Sequence, residues 1–278
     1  MRFGISTHLY HDQQLSRDHL AEVASYGFDS LELFATRSHF DYHDPAAITA
    51  LARWVEDVGM TLHGIHAPIS ESLIGGQWGS TFSLASSDNA RRQQAVREAA
   101  AALAIAREIP CDLLVVHVGV PSENAAPGDN SRAAAIRSVA EIVTLAEPLK
   151  VRVAVEVIPN DLSSAATLVT MLDRDFEGTG AGICLDFGHA HLMGDLPDAI
   201  ETAAEHLITT HVHDNRRRDD DHLVPYAGTI DWPAALVTMR KIGYDGTYLM
   251  EVANTGTPSA VLEEARRARQ RMERARAD

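Results

Sequence analysis

The chain has 278 residues, 45% of them hydrophobic, and its 39 acidic against 24 basic side chains give a formal net charge of −15. That balance disfavours nucleic acid, a polyanion whose binding proteins carry a basic footprint, and no apolar run approaches the roughly 20 residues needed to cross a bilayer. Cys111 and Cys184 are too few for a disulfide framework, and a strand-like Met1-Arg2-Phe3-Gly4-Ile5-Ser6 stands where a charged-then-apolar leader would, so the expectation is a cytoplasmic protein.

From the N-terminus, short apolar runs at 2–6, 30–34, 61–66, 113–118, 151–158, 182–187, 207–213 and 247–252 alternate with helical patterns. The helical patterns lie near 15–26, 45–58, 88–108, 131–149, 163–172, 196–206, 232–242 and 259–274. Eight strand–helix pairs at this length predict a closed (β/α)8 TIM barrel, one α/β domain over 1–278. An open doubly wound sheet is the alternative, but no Gly-x-Gly-x-x-Gly follows the first run to support it. Asp88 can cap the amides of a long Ala-rich helix, Pro45 suits a first helical turn, and Gly27, Gly59 and Gly243 each follow a helical pattern. The connection 67–87, which holds Gly75-Gly76-Gln77-Trp78-Gly79, lacks clear periodicity and falls on the carboxyl-end side of the strands. Barrel active sites sit on that side, so a lid with Trp78 as an apolar substrate contact is expected.

Side chains alternate along a strand, so each run reports which residues face the helices and which face the axis. In Val151-Arg152-Val153-Ala154-Val155-Glu156-Val157 the valines form the packing face and Glu156 points inward. The same count turns Ile183, Leu185 and Phe187 outward and Asp186 inward; His117 shares a face with Leu113 and Val115, and His66 with Gly64. His211 follows Thr209, and Glu251 follows Leu249 and Thr247. Six polar residues at the carboxyl ends of different strands thus converge on the barrel mouth. Three carboxylates in one cavity need cations or protons, since burying an unpartnered one costs several kcal/mol.

The stretch Thr210-His211-Val212-His213-Asp214-Asn215, followed by Asp220 and His222, adds imidazoles and carboxylates of the kind that ligate divalent Zn, Mn, Co or Fe.

With Gly27-Phe28-Asp29-Ser30-Leu31-Glu32-Leu33, His66-Ala67-Pro68, Val116-His117-Val118-Gly119, Glu156, Leu185-Asp186-Phe187-Gly188-His189, His211-Val212-His213-Asp214-Asn215 and Glu251 in this order, the whole chain resembles the xylose isomerase-like barrel superfamily. That superfamily contains sugar and sugar-phosphate isomerases and epimerases, and also the endonuclease IV-type AP endonucleases. The epimerase branch implies one metal on Glu156, Asp186, His211 and Glu251, with His189 and Arg217 on the substrate and Glu156 and Glu251 as the acid/base pair. The endonuclease branch implies three zinc ions, and each matching position, His66, His117, Glu156, Asp186, His189, His211, Asp220, His222 and Glu251, holds a suitable ligand. His213 stands where that pattern has an amide and is expected to touch the substrate or support a ligand.

The resemblance therefore implies a divalent-metal enzyme (Zn, Mn, Co, Mg or Fe, more than one per chain) acting on a small sugar-like molecule as an isomerase or epimerase. A multinuclear phosphoester hydrolase is the alternative. Neither a nucleic-acid nor a membrane partner is expected, and the sequence sets no oligomeric state.

Overall fold

The computed structural model describes residues 1–277. Parallel strands β1 (Arg2–Ser6), β2 (Ser30–Phe34), β3 (Thr61–His66), β4 (Leu113–Val116), β5 (Arg152–Glu156), β6 (Gly182–Asp186), β7 (Leu207–Val212) and β8 (Thr247–Met250) pair in chain order, and β8 returns to β1 to close the barrel. Around them lie α1 (Arg17–Ser25), α2 (Pro45–Asp57), α3 (Asn89–Leu103), α4 (Arg132–Ala146), α5 (Ala165–Asp175), α6 (Phe187–Met193), α7 (Leu196–Ala203), α8 (Trp232–Lys241) and α9 (Pro258–Ala277). The expected (β/α)8 barrel is the observed fold. None of these helices is long and apolar enough to cross a membrane.

Local chemistry sets the helix starts. Asp88 accepts from the amides of Ala90 and Arg91, Asp44 caps α2 ahead of Pro45, and Asp195 and Asp231 cap α7 and α8, each with proline in the first turn. Gly27, Gly59 and Gly243 all sit at positive φ just past a helix, where a β-carbon would be strained.

Packing follows the alternation. Val151, Val153, Val155 and Val157 join Ile183 and Leu185 in the apolar layer beneath the helices, and each such side chain contributes about 1.5–3 kcal/mol on burial. The opposite faces of β5 and β6, with β4 beside them, place Val115, Ala154 and Cys184 together in a small separate cluster. This cluster is the floor on which Glu156 and Asp186, two residues further along, stand.

The strands end earlier than their apolar runs. Leu113–Val116, Arg152–Glu156, Leu207–Val212 and Thr247–Met250 replace the longer spans expected, so His117, His213 and Glu251 each lie on the turn leaving the sheet. Phe187, expected to end a strand, instead opens α6, because the Asp186 carboxylate accepts the amide of His189 and caps a helix at once. The connection 67–87 contains a two-stranded hairpin, Leu73–Ile74 with Gln77–Trp78, turned by Gly75 and Gly76 at φ +58° and +76°. Positive φ at both central residues is the tight hairpin turn that matches strand twist.

Candidate metal centre and active site

At the carboxyl end of the barrel a cavity of about 1030 Å³ opens, walled by Phe34, Ile69 and Phe82 and floored by histidines and carboxylates. In contact with the lining residues His66 and His117 is Glu156, fully buried on β5. Glu156 Oε2 lies 3.1 Å from His66 Nε2 and 3.0 Å from His117 Nε2, while Oε1 lies 3.1 Å from His211 Nδ1. The two oxygens of one carboxylate thus face two different groups of ligand-type atoms. Burial alone would raise this carboxyl, but His211 and His117 hold it well below the usual carboxylate range.

The first group is Glu156, Asp186, His211 and Glu251, whose ligand-type atoms lie within 4.8 Å of one another. His211 Nδ1 is 3.4 Å from Glu251 Oε2 and 3.9 Å from Asp186 Oδ2. Glu251 Oε1 is buried with no hydrogen-bond partner among the described residues. Burial disfavours charge on His211, yet Cys184, Glu32, Glu251 and Glu156 around it raise its pKa well above the ordinary value. Burial likewise opposes the Glu251 carboxylate, and His211 outweighs it.

The second group is His66, His117 and Glu156; the third is His189, His213, Asp220 and His222. In the third, Asp220 Oδ2 is 2.9 Å from His189 Nε2 and 3.1 Å from His222 Nε2, and both imidazoles hold it well below the carboxylate range against burial. The same pairing, again against burial, raises His222 to about 9, and Glu156 raises His66 to about 8. For His189, Asp186 and Asp220 outweigh burial and lift it well above the ordinary value, whereas burial wins at His117 and lowers it.

The outer nitrogens are anchored. Nδ1 of His66 is 2.9 Å from the Ala67 carbonyl, Nδ1 of His189 is 3.0 Å from that of Val157, and Nδ1 of His222 is 2.8 Å from that of Glu251. A carbonyl only accepts, so Nδ1 keeps its proton and Nε2 is the nitrogen that would give up its proton to a metal, the arrangement found behind metal-ligating histidines. The buried acids, the orphaned Glu251 oxygen and these inward-facing imidazole nitrogens fit divalent metal ions. His222 makes its anchor from a left-handed backbone, φ +45°, a conformation that costs of order 1–3 kcal/mol.

Of the residues read from sequence, the structure brings together His66, His117, Glu156, Asp186, His189, His211, His213, Asp220, His222 and Glu251. His213 sits among the ligand-type atoms of the third group, with Nε2 3.0 Å from Asp186 and 3.8 Å from Asp220. Trp78 lines the cavity, 47% exposed, stacked on His11 at 5.9 Å. Arg217, expected to contact the substrate, is not among the residues lining the cavity. From a left-handed backbone, φ +61°, it turns to α6, donating to the Gly194 carbonyl at 2.8 Å and meeting His191.

Two residues went unread. Glu32 on β2 is fully buried and reaches His211 Nε2 at 3.1 Å. The period-two count applied to Glu156 finds it too, since Leu31 and Leu33 flank it on the packing face. His8, just past β1, lines the cavity and carries a pKa lowered by burial and by His222, whose ring lies 4.7 Å away. No periodicity marks it.

A family described as "Xylose isomerase-like TIM barrel" matches residues 20–276. An uncharacterized protein of Methanocaldococcus jannaschii is 26% identical over 91% of this chain and 84% of its own length. An inosose isomerase of Bacillus licheniformis is 28% identical over 50% of this chain and 53% of its own. Among solved structures, a D-tagatose 3-epimerase-like protein is similar with TM-score 0.81 at 23% identity, over 100% of this chain and 97% of its own. The IOLI protein with a bound zinc atom gives 0.76 at 16% identity, over 98% of each chain. At these identities the likeness to solved structures is one of fold.

Proposed function

The chain belongs to the xylose isomerase-like TIM barrel family, and from that premise we propose that it is a divalent-metal-dependent isomerase or epimerase of a sugar-like keto-polyol. The observation that supports this reading is the meeting of Glu156, Asp186, His211 and Glu251 within 4.8 Å, with Glu251 lining the cavity. An inosose isomerase among the similar proteins supports a sugar-like substrate class.

Asp186, His211, Glu156 and Glu251 would hold one ion; His66 and His117 with Glu156, and His189, Asp220 and His222 with His213, would hold others. Bound there, a divalent ion supplies Lewis-acid stabilisation of charge developing on a substrate carbonyl oxygen. The chain's own part is proton transfer. Glu156 enters from β5 and Glu251 from the turn after β8; held ionised by the imidazoles around them, both suit the base that removes the proton beside the carbonyl. One carboxylate takes that proton, and a proton drawn from solvent and relayed by the other carboxylate is delivered to the opposite face. Phe34, Ile69 and Phe82 exclude water from the walls, and Trp78 on the hairpin contacts the substrate.

A phosphoester hydrolase is the second reading, favoured by Glu156 facing two ligand groups at once. Charge weighs against it. Arg91, the one arginine or lysine among the described residues lining the cavity, is already paired with Asp129 at 2.7 Å.

Incubation with ketohexoses and inososes in D2O separates the two. Isomerase chemistry puts deuterium on the carbon beside the carbonyl. No exchange with any of them, together with cleavage of a bis(nitrophenyl) phosphate, would transfer the protein to the hydrolase class.

A further inference from the structure

We infer that Glu32 is a positioning residue that fixes which nitrogen of His211 faces the metal. The inference rests on the metal-dependent reading above. Glu32 stands on β2 and His211 on β7, with β1 and β8 between them in the sheet, so the carboxylate reaches across the barrel interior. Both side chains are fully buried. His211 Nε2 lies 3.1 Å from each Glu32 oxygen, and among the described residues it makes the one hydrogen bond recorded for that carboxylate.

A neutral imidazole carries one N–H. Without metal both nitrogens face buried carboxylates, Nδ1 toward Glu156 and Nε2 toward Glu32; an ion bound by Glu156, Asp186 and Glu251 would displace the proton from Nδ1, and Glu32, which accepts and cannot donate, would keep the other proton on Nε2. Nδ1 is the nitrogen that meets Glu156, Glu251 and Asp186 at 3.1, 3.4 and 3.9 Å. The opposite tautomer would set a lone pair against Glu32 and an N–H where a ligand is needed. His66, His189 and His222 are oriented the other way, through Nδ1 and a neutral carbonyl. His211 is thus the imidazole whose outer partner is charged, which raises its basicity as a ligand. Gly64 pairs with Glu32 on the neighbouring strand; a β-carbon there would press on Leu113 at 3.3 Å and meet Oε2 of Glu32 only in ordinary contact at 3.7 Å.

The experiment is a chelator-competition titration of the full chain with Zn²⁺, in wild type, Glu32→Gln and Glu32→Asp, beside thermal unfolding of each metal-free protein. The ion concerned is the one lost in Asp186→Asn. Glu32→Gln keeps the volume and removes the charge, and is expected to weaken that ion about 10–100-fold, with Glu32→Asp between it and wild type. A purely structural Glu32 would shift the metal-free unfolding temperature and leave affinity unchanged; equal affinity in wild type and Glu32→Gln overturns the inference. Wild type that takes up no divalent ion overturns both it and the metal-dependent reading. Should Glu32→Gln fail to fold, the ¹⁵N imidazole shifts of Zn-loaded wild type decide: His211 must carry its proton on Nε2, and a bare Nε2 refutes the assignment.

Discussion

The imidazole of His213 fills the space that a β-carbon on Gly188 would need. Glycine at the second residue of α6 lets the ring slide under the helix start, 3.0 Å from Asp186 and stacked on His222 at 3.9 Å. Gly188→Ala is therefore expected to destabilise the protein by about 1–3 kcal/mol through overpacking and to lower metal occupancy at His189, Asp220 and His222. Thermal unfolding and metal analysis of the variant test this. An unchanged protein would mean that the ring has somewhere else to go.

Metal content divides the three ligand groups. Fully loaded wild type is expected to hold more than one divalent ion per chain, measured by elemental analysis after purification without chelator. His66→Ala combined with His117→Ala should lose part of that metal and keep the ion held by Asp186, His211 and Glu251. One ion per chain, unaffected by the double change, would leave a single centre.

Glu156→Gln and Glu251→Gln are each expected to lower turnover by about 10²–10⁴, the range that general acid–base catalysis contributes. Circular dichroism should show the barrel intact, because neither side chain belongs to the valine layer under the helices. Activity at the wild-type level in either variant would remove that carboxylate from proton transfer.

The metal-free protein is expected to be most stable near pH 6.5, with a decline on both sides. Above that value, unfolded histidines are neutral while His66 and His222 keep protons up to about 8 and about 9, so the stability they contribute is lost as pH rises through those values. Below it, unfolded histidines charge while His8 and His117, lowered by burial, stay neutral, so stability falls again. Glu156, Glu251 and Asp220, all lowered, add to the loss once pH drops below the ordinary carboxylate range. Because metal displaces protons from the same imidazoles, zinc affinity should rise across pH 6.5 to 9. Denaturant melts in chelator across this range measure the first trend, and a flat profile would contradict it.

Trp78→Ala should raise KM severalfold with kcat unchanged, the signature of a contact made equally in ground and transition states. Its indole is 47% exposed, so the unfolding temperature should move little. Unaltered kinetics would confine Trp78 to holding the hairpin against His11.

The barrel and most of the cluster were legible because strand alternation is a hard geometric constraint. Once the valines around Glu156 are assigned to the helix layer, the carboxylate has one direction left. Glu32 obeys the same count, and it escaped because its strand ends in Phe34 rather than in a polar residue. What alternation does not carry is backbone direction beyond the sheet. Arg217 turns away from the cavity, and His222 turns into it, through left-handed conformations that neither residue type advertises. The short helix α6 was hidden for a related reason: Asp186 is at once the last residue of a strand and the cap of a helix, so no polar loop separates the two patterns.

The apolar floor of Val115, Ala154 and Cys184 makes the centre a blind well. On the metal-dependent reading, ions and substrate would enter through the cavity above it, so loading is expected to have an order: metal first, substrate above it. A bound substrate then acts as a stopper, and metal exchange with a chelator in solution should slow in its presence without any change in the ligands themselves.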